Sequence, residues 1–233
     1  MSTALLVEYF EHLPTRRSRE SAENWRARLQ AGQEDFKKQV QARYNEGTLL
    51  RLLDSCELRA RRAALFALIQ LGTMEATAAL ARRLHEEDPD LRQLAVDALW
   101  AIWFRADSED NNRELKRLSA LKDRHKALAV LNQLIARAPA FAEAYNQRAI
   151  VYFRLKQYDK SIADCEKTLE LNPFHFGAQA GMGQCFLQLR KHKAALKAFR
   201  NALRINPHMD GIAETIRTLE NALGEEGRRD DKK

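Results

Sequence analysis

The chain has 233 residues, 45% apolar and 30% charged, the composition of a soluble, ordered protein with enough length for one or two domains. Nine Gly and five Pro are too few turn-formers for a sandwich or barrel of short strands, and three scattered cysteines give neither a disulfide framework nor a metal pattern. The net charge of +7 sits wholly in residues 108–233, with 23 Lys+Arg against 16 Asp+Glu, while residues 1–107 balance at 16 and 16.

From the N-terminus, MSTALLVEYFEHLP has no basic leader and is interrupted by Glu8 and Glu11, so no signal peptide is expected. No apolar run reaches the ~18 residues of a membrane span; the longest, Ala63 to Met74, stops at Glu75. The expected setting is reducing and cytoplasmic, without a membrane partner. RRSR at 16–19 is a short basic cluster in a linker. The next stretch, AENWRARLQAGQEDFKKQVQARY, places Trp25, Leu29, Phe36, Val40 and Tyr44 on one helical face. Residues 60–72 overlay residues 91–103 at an offset of 31, and Leu49 and Leu53 overlay Leu80 and Leu84. The Ala-Ala-x-x-Ala-Leu core after an Arg resembles short HEAT-like repeats, of the kind also found in bilin lyases. Asp88-Pro89 predicts an N-cap with Pro at the first helical position. The run 98–104, ALWAIWF, is apolar all round a helix and is read as a buried junction to the second half.

That half is organised by Pro139, Pro173 and Pro207, spaced 34 and 34 apart. Stacking residues 142–173 on 176–207 aligns Tyr145, Ala149 and Tyr152 in a first helix with Ser161, Cys165 and Thr168 in a second. The lower copy supplies Met182, Gly183, Phe186, Ala195, Phe199 and Ala202. This pattern resembles the tetratricopeptide repeat. Small residues let antiparallel helices approach, aromatics fill the space beside them, and the Pro ends the second helix. Arg148 stands where the pattern has Leu, and Gln179 where it has Trp. A degenerate unit precedes these repeats, keeping Leu115, Leu118, Ala127, Leu131 and Pro139, and DGIAETIRTLENAL follows as a capping helix. The expected fold is therefore an all-α, right-handed α-solenoid of antiparallel helix pairs. It divides into a HEAT-like segment over 1–107, a tetratricopeptide array over 108–223 and a charged disordered tail over 224–233.

No catalytic constellation is visible. The six histidines show no zinc-ligand spacing with the cysteines, and there is no phosphate-cradling loop or nucleophile elbow. Cys165 and Cys185 fill packing slots. The expectation is a non-enzyme without metal or cofactor. The family resemblance implies a concave groove lined by the first helix of each repeat. Its slots hold Asn112, Arg113 and Lys116 in the first unit. They hold Asn146, Gln147, Ile150, Phe153 and Arg154 in the second, and Ala180, Gly181, Gln184, Leu187 and Gln188 in the third. Side-chain amides there suit an extended peptide backbone. The family's two-carboxylate clamp for a chaperone tail needs Asn, Lys and Arg where this chain has Gln147, Gly177 and Gly181, so the clamp is expected to be absent. Lys193, Lys197, Arg200 and Arg204 form a basic stripe on the second helix of the last repeat. The expected function is a scaffold or adaptor that binds a protein or peptide, acidic ones included, in the groove. The alternatives are a nucleic-acid or ribosome-associated factor acting through the stripe, and a structural subunit of a larger complex.

Overall fold

The computed structural model describes residues 3–118, 121 and 123–230. Among the described residues all regular structure is helical, with no β-strand. The chain divides into two compact units, the first ending at Ile102 and the second beginning at Trp103.

The first unit contains α1 (Thr3–Glu11), α2 (Ala22–Gln41), α3 (Glu46–Leu52), α4 (Leu58–Leu71), a 3-10 turn (Met74–Ala76), α5 (Thr77–Arg83) and α6 (Pro89–Trp103), whose last residue falls in the second unit. Short polar side chains start α2, α3 and α6 by satisfying orphan backbone donors. Ser21 accepts from the Asn24 N–H at 3.2 Å, Asn45 from Thr48 at 2.8 Å, and Asp88 from Asp90 and Leu91 at 2.8 and 3.1 Å. The hydrogen bonds from Leu91 and Asp90 hold the Asp88 carboxyl below the usual range, because they favour its charged form.

The offset of 31 is visible in burial. Leu49 and Leu80, Leu53 and Leu84, Ala60 and Leu91, Ala64 and Ala95, Ala67 and Ala98, and Leu68 and Leu99 are all buried. Each fully buried Leu contributes roughly 1.5–3 kcal/mol. Phe66 of α4 receives Phe10 of α1 and Phe36 of α2, at ring separations of 5.4 and 5.1 Å. On the expected face of α2, Phe36 and Val40 are buried, as is Tyr44 beyond its end, while Trp25 and Leu29 are half-buried. In the run 98–104, Ala98, Leu99, Ile102 and Trp103 are buried, whereas Trp100, Ala101 and Phe104 remain half-buried.

The second unit contains α7 (Glu109–Leu118), α8 (Arg124–Arg137), α9 (Ala142–Arg154), α10 (Tyr158–Leu171), α11 (Phe176–Gln188), α12 (His192–Ile205) and α13 (Ile212–Asp230). Each helix packs on its chain neighbour, and α9 also on α11, which is the contact pattern of a solenoid. Helices α8, α10 and α12 end at Arg137, Leu171 and Ile205, two residues before Pro139, Pro173 and Pro207. After α10 and α12 the same turn follows: the side chain of Asn172 accepts from the Phe174 N–H at 3.2 Å, and that of Asn206 from His208 at 3.1 Å.

The turns inside the two clear repeats also match. Lys156 and Arg190 both adopt left-handed backbone, with φ of 60° and 57°. Their N–H groups return to Phe153 and Leu187, and the next N–H groups, of Gln157 and Lys191, return to Tyr152 and Phe186. Such a turn satisfies the last carbonyls of α9 and α11 and favours Gly at its left-handed position. The final helix continues to Asp230, so the charged segment expected to be irregular from 224 is helical through 230; Glu and Arg sustain a helix well. Residues 231–233 of that expected tail lie outside the described residues.

Candidate functional site

Several polar residues assigned to groove slots are engaged by the fold itself. Asn112 is buried; its amide donates to the Asp107 carbonyl at 2.7 Å and its oxygen accepts the Asp107 N–H at 3.2 Å. Asn146 is buried and donates to Glu143 Oε1 at 2.9 Å, and half-buried Gln147 donates to the same oxygen at 2.7 Å. Arg113 pairs with Asp110 one turn earlier, and Lys116 is exposed. Each of these amides has a hydrogen-bond partner within the second unit.

Their acceptor, Glu143, is the member that sequence reasoning missed. Glu143 and His175 have side chains fully withdrawn from solvent, with Glu143 Oε2 at 2.8 Å from His175 Nε2. The other ring nitrogen, Nδ1, accepts the Ala178 N–H at 3.0 Å and so caps α11. An accepting Nδ1 carries no proton, so Nε2 bears it and donates to Glu143. Three donors thus satisfy a buried carboxylate placed in the first turn of α9, where the helix dipole favours negative charge. The indole of Trp103 stacks on the imidazole, with centroids 4.3 Å apart and planes 22° off parallel. A signal was present in the sequence: His175 occupies the slot that holds Phe141 and Met209 one period away, and a polar ring in an apolar slot requires a partner.

Other residues assigned to groove slots are more accessible. Ile150 and Arg154 are exposed on α9, and Gln188 on α11, while Phe153, Gln184 and Leu187 are half-buried. Tyr158 joins the two helices: its ring meets Phe153 edge-on at 5.6 Å, and its hydroxyl donates to Gln188 Oε1 at 3.4 Å. The Arg154 carbonyl accepts from Arg124 Nη1 at 2.9 Å, leaving its guanidinium at the surface. Leu187 packs on the cluster around Phe199. Tyr152, in the aromatic packing slot, is half-buried, with Arg148 and Lys160 against its ring at 5.8 and 5.6 Å. The structure therefore joins Phe153 and Gln188 through Tyr158, leaves Arg154 exposed at the end of α9, and gives Asn112 and Asn146 partners within the fold.

All four residues of the basic stripe, Lys193, Lys197, Arg200 and Arg204, are exposed; Arg200 pairs with Glu220 of α13 at 2.6 Å. Cys165 and Cys185 are buried free thiols, and burial pushes the Cys165 thiol up to about 12, far from a nucleophile's range. No group of three His, Cys, Asp or Glu that could hold a metal occurs among the described residues.

Tetratricopeptide repeat models match residues 142–175 and 166–210, covering the two clear copies. A TPR repeat-containing protein of Rhizobium etli is 30% identical over 141 residues, covering 59% of this chain and 69% of that protein. The chain belongs to the tetratricopeptide repeat family. Over 85 residues of this TPR protein the bovine SGT1 homolog is 33% identical, covering 36% of this chain but only 25% of the relative. A solved structure of the first TPR of Spaghetti (RPAP3) bound to the HSP90 peptide SRMEEVD aligns with a TM-score of 0.43 at 23% identity, over 50% of this chain and 89% of that one. No helix among the described residues is long and apolar enough to cross a membrane.

Proposed function

We propose that this TPR protein is a non-enzymatic adaptor that captures a peptide segment of a partner protein on the face shared by α9 and α11. The observation that carries the reading is the continuous Phe153–Tyr158–Gln188 contact, flanked by exposed Ile150 and Arg154. Aromatic and Arg side chains dominate interface hot spots, and a guanidinium can take a carboxylate bidentately. The favoured ligand is a short segment with one apolar side chain for Phe153 and Ile150 and one carboxylate for Arg154. A chaperone tail of the SRMEEVD type is disfavoured, because Gly177 and Gly181 offer no cation and Asn112 is bound to Asp107.

The first unit is proposed to be a pair of HEAT-like hairpins, α3–α4 and α5–α6, supported by the buried residues that repeat at an offset of 31.

Selection of short random peptides on the immobilised protein tests the adaptor reading. Enriched peptides should combine an apolar and an acidic residue. Phe153→Ala should weaken them by about 30-fold, or ~2 kcal/mol, while leaving the melting curve unchanged. Selected peptides that bind the wild type and Phe153→Ala/Arg154→Ala equally would refute it.

A further inference from the structure

The last repeat carries a charged face that the peptide-binding reading does not use. No Asp or Glu occurs between Glu170 and Asp210, and Arg190, Lys191, Lys193, Lys197, Arg200 and Arg204 all stand exposed. Elsewhere in the second unit several cations are matched: Arg113 with Asp110, Arg137 with Glu114, Arg148 with Asp164, and Lys167 with Glu170. Among the described residues of this face, Arg200 meets a carboxylate, that of Glu220 at 2.6 Å. Like charges gathered on one face repel one another, which an anionic partner would reverse.

The arrangement is ordered. Lys193, Lys197, Arg200 and Arg204 follow at steps of four, three and four, which places them along one side of α12 over about 16 Å. At the N-terminal end of this line, Arg190, Lys191, His192 and Lys193 border an open depression of about 600 Å³ whose apolar wall is Ala194 and Leu223.

We propose that this face docks an acidic, amphipathic helix of a partner protein. Carboxylates spaced four, three and four on such a helix rise at the same rate as the four cations, and an apolar side chain beside them fits against Ala194 and Leu223. The molecule already contains one example of the pairing, the Glu220 carboxylate of α13 on Arg200 of α12. A nucleic-acid duplex offers phosphates but no apolar side chain for the depression. The stripe also presents no aromatic for base stacking, since Phe199, the aromatic of α12, is buried.

Fluorescence anisotropy with two labelled probes tests the proposal on the full chain: a helical peptide with Glu at the same spacing and a Leu beside the first Glu, and an RNA duplex of equal charge. The peptide should bind, and more tightly than the duplex. Its affinity should fall at least about tenfold between about 50 and 300 mM salt. Lys193→Glu/Lys197→Glu should weaken it at least tenfold, Lys193→Gln/Lys197→Gln by a smaller factor, and Phe153→Ala not at all. Unchanged melting curves check that the variants fold, and the Gln pair serves where the Glu pair does not. Failure of the peptide to bind, equal binding by the lysine variants, or tighter binding of the duplex would each overturn the proposal.

Discussion

The two clear repeats, residues 142–175 and 176–209, share one backbone and differ in the chemistry that fills it. Helices begin and end 34 residues apart, and the turns at Lys156 and Arg190 agree to within a few degrees. Inside the first repeat the packing is polar. Arg148 grips Asp164 through two 2.7 Å bonds and Asn132 through another at 2.8 Å. Ser161 donates to the Ala149 carbonyl, and Glu143 gathers His175, Asn146 and Gln147. At the positions equivalent to Arg148, Asp164, Ser161 and Thr168, the second repeat carries Met182, Ala198, Ala195 and Ala202; Ala195 packs with Phe199, and Met182 packs against Ala149, Cys165 and Ala178. The period is a rule about shape and spacing, and either chemistry satisfies it. What differs is the consequence: the first repeat spends its polar groups internally, while the second leaves its cations on the outside.

The polar repeat is the more brittle of the two, and its removal points differ in cost. The largest effect is expected at His175→Ala, which uncaps α11 and strips Glu143 of its imidazole partner; about 3–5 kcal/mol should be lost in urea titrations, with Glu143→Ala similar. A loss below ~1 kcal/mol would show that the buried pair is not structural. Next, Arg148→Met alone strands the mostly buried Asp164 and should cost about 2–3 kcal/mol. Adding Asp164→Ala recreates the apolar pair of the second repeat and should recover stability to within ~1 kcal/mol of the parent. A double variant as unstable as the single would mean that the ion pair is not interchangeable with the apolar filling.

The apolar repeat has its own limit. A Cβ on Gly183 would lie 2.7 to 2.9 Å from three atoms of the Phe199 ring, whereas the first repeat accommodates Ala149 because smaller Cys165 stands opposite. Gly183→Ala should therefore cost about 1–3 kcal/mol, and Phe199→Leu in the same chain should relieve part of it. The smallest effect concerns the turns that the repeats share. Lys156→Gly and Arg190→Gly remove a side chain from left-handed backbone and should each stabilise by about 0.5–1 kcal/mol. Unequal gains would show that the turns are less alike than their dihedrals.

The helical class and the helix ends before Pro139, Pro173 and Pro207 could be read from sequence because they follow from spacing and from the geometry of proline. The small-and-aromatic slots were legible for the same reason in the second repeat, where side chain and slot agree. Tyr152, like its counterpart Phe186, is half-buried, and Arg148 and Lys160 lie against its ring. Periodicity finds faces of helices but not the partners across them, so the Glu143–His175 pair, 32 residues apart, left no local pattern. The same limit explains Asn112 and Asn146: their slots face the groove in sequence register, yet Asp107 and Glu143 were there to bind them.

Amide NMR titration with a selected peptide tests the proposed binding face of α9 and α11 most directly. Resonances of Ile150, Phe153, Arg154, Leu187 and Gln188 should move together as peptide is added, while those of Lys193, Lys197 and Arg204 stay fixed. Shifts confined to α12, with Phe153 and Gln188 unmoved, would contradict it.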